Sequence, residues 1–392
     1  MKFVCLIIGT DANAYYMSRC YYETYHQKAY ILGNKPLPFT SYSSISNIIY
    51  NDKIWDEKEF IKALNNFKRI IPKNVKILVI SSNETYTNYL NKFRNKLDRQ
   101  FVYNYNDENL INSLIMKDIF YQKYKDSNLD FAKTIIYDCH KYTKFKSNIM
   151  YPVIIKPSDV IEYNHLNFDG KKKIYKLYNI DEVNEVLKMI VKSGYKNNLI
   201  IQEYIPGDDS YLFDSVVYSN SKKEVKLVTF AQIGLQEHSK NMIGNAAVLI
   251  NGYSQFEGKE KMIENIKTFL ESIKYEGFAE FDMKYDKRDN KFKVLEINAR
   301  QGRSSYYLSM LGYNLVKVMA DDLIYNKKMD YKYLDKEVIL SFIPKGVFKK
   351  YCVNNEYKNK ALSLWKGNIN PLNYRKDINI KMKLYLIKKY FR

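Results

Sequence analysis

Cysteine is scarce in this chain: four in 392 residues, at positions 5, 20, 139 and 352. Their spacing forms no CxxC pair and no regular framework, which excludes a disulfide-stapled domain and a cysteine-rich zinc site. Reduced, mostly buried thiols are expected instead. No stretch approaches the ~20 apolar residues of a membrane span. The opening MKFVCLIIGTDANAYY has a short apolar run that meets Gly and Asp too soon for a secretory leader, so a cytoplasmic location is expected. There is no GxGxxG, hence no dinucleotide fingerprint, no internal repeat, and no Ser/His/Asp or Cys/His arrangement calling for a covalent enzyme intermediate. Acidic residues are outnumbered, 43 against 63 Lys and Arg, giving a formal charge of +20. The lysines are spread along a Lys-, Asn-, Ile- and Tyr-rich chain without a nucleic-acid module signature, so no nucleic-acid partner is expected. Anionic small substrates and phosphates fit the charge better.

What is present indicates a folded α/β protein. Hydrophobic residues make up 46% of the chain and aromatic residues 15%, enough for two or three domains of ordinary size. Strand-like Phe3–Ile8, Ala29–Leu32 and Lys76–Ser81 alternate with helix-like Ala14–Tyr25, Glu57–Phe67 and Thr85–Leu97. That alternation predicts a doubly wound α/β unit. Glu108–Lys125 reads as a helix leading to a second unit. Its strands are expected at Tyr151–Pro157, Leu199–Tyr204, Tyr211–Tyr218 and Lys226–Phe230, with helices at Asp181–Lys192 and Glu257–Ile273.

The stretch with the most chemistry is Gly277–Ser305, GFAEFDMKYDKRDNKFKVLEINARQGRSS. Phe278, Glu280, Asp282 and Lys284 alternate with Ala279, Phe281, Met283 and Tyr285, which is a strand of period two. Asp286–Asn290 supply a turn and Lys291–Asn298 a second strand. Turning about Arg288 brings Glu296 near Glu280 and Asp282, and a one-residue shift of the turn sets Asp282 directly opposite it. Cross-strand neighbours lie roughly 4.5–8 Å apart, close enough for two carboxylates to share a divalent ion. Asn298 follows on the same face. Magnesium favours one or two carboxylates plus substrate phosphates over a full protein cage. Arg300, Arg303, Ser304 and Ser305 follow at once, a loop suited to phosphate or carboxylate chemistry.

With its neighbours this signature resembles the ATP-grasp carboxylate–amine ligases, and within them the D-aspartate ligase family of peptidoglycan synthesis. The resemblance rests on IIGTDANAYYMSR, KPSDVIEY, FDGKKK, QEYIPGDDS, the IGN of Ile243–Asn245, GFAEFDMKYD and EINARQGRSS, in that order over most of the chain. It implies an α/β (α+β ATP-grasp) fold. The expected units are an N-terminal α/β domain over 1–110 that helps bind the carboxylate substrate, a small lobe over 111–200, a metal-binding lobe over 201–330 and a basic C-terminal extension over 331–392.

The resemblance also implies ATP and magnesium, two ions, held by Asp282, Glu296 and Asn298. Lys117 and Lys156 would contact phosphate, together with one residue of Lys171–Lys173 that the sequence does not single out. Gln202, Glu203, Tyr204 and Ile205 would form the hinge that bonds adenine through its backbone, and Asp209 would bind the ribose. Arg300 and Arg303 would be catalytic, neutralising an acyl phosphate and the oxyanion that follows it. Where the wider superfamily has several glycines after the small-lobe lysine, Ser158–Asp169 has none. By the resemblance the acid is D-aspartate, activated at its β-carboxyl, and the acceptor is the side-chain amine of L-lysine in a peptidoglycan precursor. Alternatives are a ligase for another amino or hydroxy acid, or a basic ATP-binding protein without turnover. His238, in Gln236–Gly244, is a candidate base toward the amine. Finally, Ile378–Arg392 is basic and amphipathic; it is expected to cover the core, with weak attraction to an anionic membrane surface as the alternative.

Overall fold

The computed structural model describes residues 2–237, 244–377 and 379–390. Three sheets organise them. The first is five-stranded and parallel, in the order Ser46–Tyr50, Ala29–Gly33, Phe3–Ile8, Lys76–Ser81, Phe101–Val102. Its strands are continuous apolar runs such as FVCLII, as expected of strands covered by helices on both faces. The order reverses between Phe3–Ile8 and Lys76–Ser81, and ligands of such sheets bind beyond the strand ends at that switch point. There Gly9 adopts φ +120°, and a Cβ on it would meet the Ser82 hydroxyl at 1.9 Å. Only glycine lets the two strand ends approach this closely. Helices Ala12–Tyr25 and Glu84–Lys92 start from these ends, capped by Asp11 and Asn83.

The second sheet is antiparallel, in the order Thr134–Tyr137, Leu199–Glu203, Val153–Pro157, Tyr175–Leu177, with helix Ile180–Lys192 packing Val183, Leu187 and Ile190 into its core. The third has eight strands. Lys291–Asn298 and Gly277–Asp286 lie at one edge, then Leu212–Ser219, Ala231–Gln236, Ala246–Asn251 and Val338–Ser341; Val225–Thr229 and Lys332–Leu334 branch off it. The segment beyond residue 331 therefore contributes two strands to this sheet. Four aromatic rings, Phe213, Phe230, Phe256 and Phe292, interlock beneath it.

The stretch read as one helix over Glu108–Lys125 is two, Glu108–Ile115 and Lys117–Tyr124. Met116 between them is extended, with ψ 110°. The break sets Lys117 in the first turn of the second helix. All four cysteines are free and buried, as expected. Among the described residues no helix is long and apolar enough to cross a membrane.

Candidate active site

The hairpin pairs Asp282 directly with Glu296 and Glu280 with Asn298, and a bulge follows between Asp282 and Met283. The turn is tight because Asn290 takes the left-handed conformation, φ 55°. Asn298 donates its amide N–H to Asp282 at 3.1 Å. The Glu296 carboxylate pairs with the Lys117 ammonium. Lys117 holds Glu296 well below the usual carboxylate range. Asp282 is pushed the other way, first by burial and then by the Glu296 and Asp214 charges. Two half-buried carboxylates side by side and one amide oxygen make a donor set that fits magnesium. Among the described residues no cluster of three His, Cys, Asp or Glu side chains offers a full cage, so the remaining ligands would come from phosphate and water.

Across from these acids stand the lysines of the second sheet. Lys156 is buried, 3.3 Å from the Tyr121 hydroxyl and 3.4 Å from the Gln202 side-chain oxygen. Burial, with Lys117 beside it, lowers its pKa to about 7. Lys171 and Lys173 have different settings. Lys171 donates to the carbonyls of Asn164 and Leu166, whereas the Lys173 charge acts on Glu296. Helix Val160–His165, capped by Asp159, follows the Lys156 strand within the glycine-free stretch Ser158–Asp169.

Gln202, Glu203, Tyr204 and Ile205 connect the second and third sheets. Gln202 lies inside, donating to Thr134 and accepting from Lys156. The backbone N–H groups of Glu203 and Tyr204 donate to the carbonyls of Lys133 and Pro152, so both are already engaged within the protein. Ile205 is buried, and the Tyr204 ring lies under the Lys176 and Lys284 ammonium groups at 3.7 and 5.1 Å. Asp209 accepts from the Gln236 amide at 2.8 Å. His238 and Ile243 lie outside the described residues.

Arg300 and Arg303 differ in setting. Arg303 is fixed within the third sheet: it donates to Glu237 at 3.2 Å and to the Ala246 carbonyl at 2.8 Å, and its guanidinium lies 4.4 Å from the Phe342 ring centre. Arg300 reaches the first sheet, where it pairs with Glu84 and acts on Asp11. Its Nε, though buried, has no hydrogen-bond partner. Gln301 donates to the Ser81 carbonyl at 2.8 Å and accepts from Asn13 at 3.0 Å. The loop after Lys291–Asn298 is thus stitched to the switch point of the first sheet.

Sequence reasoning missed Asp11, Glu84 and Gln301 as parts of the site; GTD and SSNE at the ends of two predicted strands were the available signal. It also missed Asp214. Ser304 Oγ lies 2.6 Å from a carboxyl oxygen of both Asp214 and Glu280. The hydroxyl has one proton to donate, so it can satisfy only one of the two carboxyls as a donor. Burial raises both. Gly302 makes room for the pair, since a Cβ there would sit 1.6 Å from the Glu280 carboxylate.

A parallel switch-point domain, a small antiparallel sheet bearing the lysines and a larger sheet bearing the acids define an ATP-grasp ligase. Solved structures share this fold. An L-amino acid ligase from Bacillus licheniformis has a TM-score of 0.57 at 14% identity over 81% of this chain and 73% of that one. The biotin carboxylase domain of 2-oxoglutarate carboxylase from Hydrogenobacter thermophilus, determined with MgADP, has a TM-score of 0.62 at 13% identity over 86% and 74%. No protein-family model matches the chain. A D-aspartate ligase from Enterococcus faecium is 32% identical over 99% of this chain and 94% of its own length. The chain belongs to the D-aspartate ligase family and is an ADP-forming ATP-grasp carboxylate–amine ligase.

Proposed function

We propose that the protein uses ATP and magnesium to join the β-carboxyl of D-aspartate to the lysine side-chain amine of a peptidoglycan precursor, in the cytoplasm. The observation that carries this reading is the Asp282–Glu296–Asn298 edge set against Lys117 and Lys156, with Arg300 reaching from it to Glu84 and Asp11. ATP lies between the lysines and the acids, its base along Gln202–Ile205 and its ribose at Asp209. Asp282, Glu296 and Asn298 would hold magnesium, two ions, which would supply charge neutralisation on the phosphates. Lys117, Lys156 and Lys173 meet the phosphate oxygens as point charges.

The substrate carboxylate oxygen attacks the γ-phosphorus, and the bond from that phosphorus to the bridging oxygen breaks, releasing ADP. The lysine amine then attacks the acyl carbon of the mixed anhydride, loses a proton, and inorganic phosphate leaves. Arg300 and Arg303 offset the negative charge of the acyl phosphate and of the tetrahedral oxyanion. Aspartate brings two carboxylates and one ammonium. Arg300 provides for a carboxylate, and Glu84 and Asp11, at the strand ends of the first sheet, for the ammonium. Residues 1–110 act as the acid-binding unit, 111–200 and 201–330 as the two lobes around ATP, and 331–392 as the extension.

The test is ADP release with magnesium and ATP across D- and L-amino acids, with and without a lysine-containing UDP-MurNAc-pentapeptide. Turnover with D-aspartate that depends on the precursor, with the matching mass gain, is expected. Turnover with another acid alone would discard this substrate and retain the mechanism.

A further inference from the structure

The C-terminal segment takes no part in the nucleotide site, yet it is firmly attached. Asp377, 3% exposed, accepts from the Ser43 hydroxyl at 2.8 Å and from the Ser44 amide and hydroxyl at 2.5 and 2.8 Å. Asn379 donates to the Tyr42 carbonyl and accepts from the Met382 amide at 3.0 Å, capping helix Ile380–Tyr390. One face of that helix packs on the short helix Pro38–Ser41. Met382 is buried, and the Tyr385 ring stands edge-on to Phe39 at 5.1 Å. The two expectations for this segment are therefore not exclusive, since covering the core occupies only half of the helix.

The other half is uncovered. Ile380, Leu384 and Ile387 are 76, 61 and 55% exposed. Their spacing of four and three places them on one stripe along the helix. Lys381 and Lys388, seven residues apart, border one side of the stripe and Lys383 the other; all three are exposed. Residues 380–390 contain no Asp or Glu. An apolar stripe edged on both sides by lysines, on a helix held flat against its protein, is the pattern of a helix lying in a membrane interface. The apolar side chains enter the acyl boundary while the lysine stems extend their charges to the headgroups.

We propose that this face is a binding site for an anionic lipid surface, which would hold the enzyme at a membrane without spanning it. Charge decides among occupants. A second copy of a chain carrying +20 would set like charges opposite each other, and three side chains are too few for a stable protein interface. Anionic headgroups match the lysines directly, and each such lysine strengthens binding roughly fivefold.

The experiment is co-sedimentation of the full chain with phosphatidylcholine vesicles, alone or with about 30% phosphatidylglycerol, an anionic fraction that gives the surface a negative potential. Binding to the anionic vesicles only, weakened by salt, is expected. Ile380→Ser/Leu384→Ser/Ile387→Ser should weaken it about tenfold or more, and Lys381→Gln/Lys383→Gln/Lys388→Gln on the order of a hundredfold. Both variants alter exposed side chains alone, so their circular dichroism and their ADP release on soluble substrates should stay unchanged. No binding to anionic vesicles would overturn the proposal. So would full binding by the serine variant, which would reduce the effect to diffuse charge. Self-association of the wild type that the serine variant loses, seen by sedimentation without lipid, would overturn it in favour of a second copy.

Discussion

Two neighbouring regions of the third sheet handle charge in opposite ways. At the end of the hairpin, Asp282 and Glu296 are set side by side and half-buried; Lys117 pairs with Glu296, whereas burial and the Glu296 and Asp214 charges push Asp282 up, and burial lowers Lys156 to about 7. A few residues on, the loop Arg300–Tyr307 is satisfied almost everywhere. Gln301 bonds to the first sheet, Arg303 to Glu237 and Ala246, and Ser304 and Tyr307 to buried carboxyls. In the first region Asp282 and Lys156 keep electrostatic strain that a cation and phosphates would relieve. The second uses the same residue types to hold a geometry. On the proposed reading, the strain left at Asp282 and Lys156 marks where metal and phosphate bind, and the hydrogen-bonded loop holds that place in position.

The sharpest way to break this comparison is Glu296→Gln. It should lower ADP formation by at least about a thousandfold, because the charge that offsets the metal is gone. The change removes the repulsion on Asp282 but leaves Lys117 without its carboxylate, so the fold should survive with a modest loss of stability; steady-state ADP release and circular dichroism check the two halves. Next come the arginines. Arg300→Ala should cost about a hundredfold or more in kcat/KM with little loss of stability, because Glu84 can turn to water. Arg303→Ala should also destabilise the fold, by roughly 2–4 kcal/mol, as it strands Glu237; urea unfolding separates the two variants.

Much of this contrast was legible beforehand. Period two in GFAEFDMKYD and the DKRDN turn placed Asp282 opposite or next to Glu296, and that alternation does not depend on distant contacts. The bulge after Asp282, the break at Met116 and the pairing of Arg300 with Glu84 were not legible. No Gly or Pro marks residue 116, and Arg300 and Glu84 are brought together from different sheets. The Asp214–Glu280 pair was hidden for the same reason, since a strand pattern gives a residue's face but not which strand lies alongside.

Smaller effects sharpen the supporting side. Ser304→Ala removes the hydroxyl between Asp214 and Glu280 and should destabilise by about 1–3 kcal/mol, read by urea unfolding, with a smaller effect on nucleotide affinity. The smallest expectation concerns Glu276, which begins the hairpin and accepts from Asn104. Burial raises its pKa from 4.5 to about 7. A carboxyl whose folded pKa is raised holds its proton longer in the native than in the unfolded state. Its stabilising share is therefore present at low pH and is lost as pH rises from 4.5 toward 7. Glu276→Gln should flatten that decline, by less than about 1.4 kcal/mol per pH unit, in unfolding curves taken across the window.

The central claim is that the strained hairpin end exists to hold magnesium against ATP. Calorimetric titration of ATP, with magnesium and with chelator, into wild type and Glu296→Gln tests it directly. Magnesium should tighten ATP binding to the wild type, while the variant should bind ATP through Lys156 and the hinge with no gain from the metal. A variant that keeps the full gain from magnesium would contradict the account.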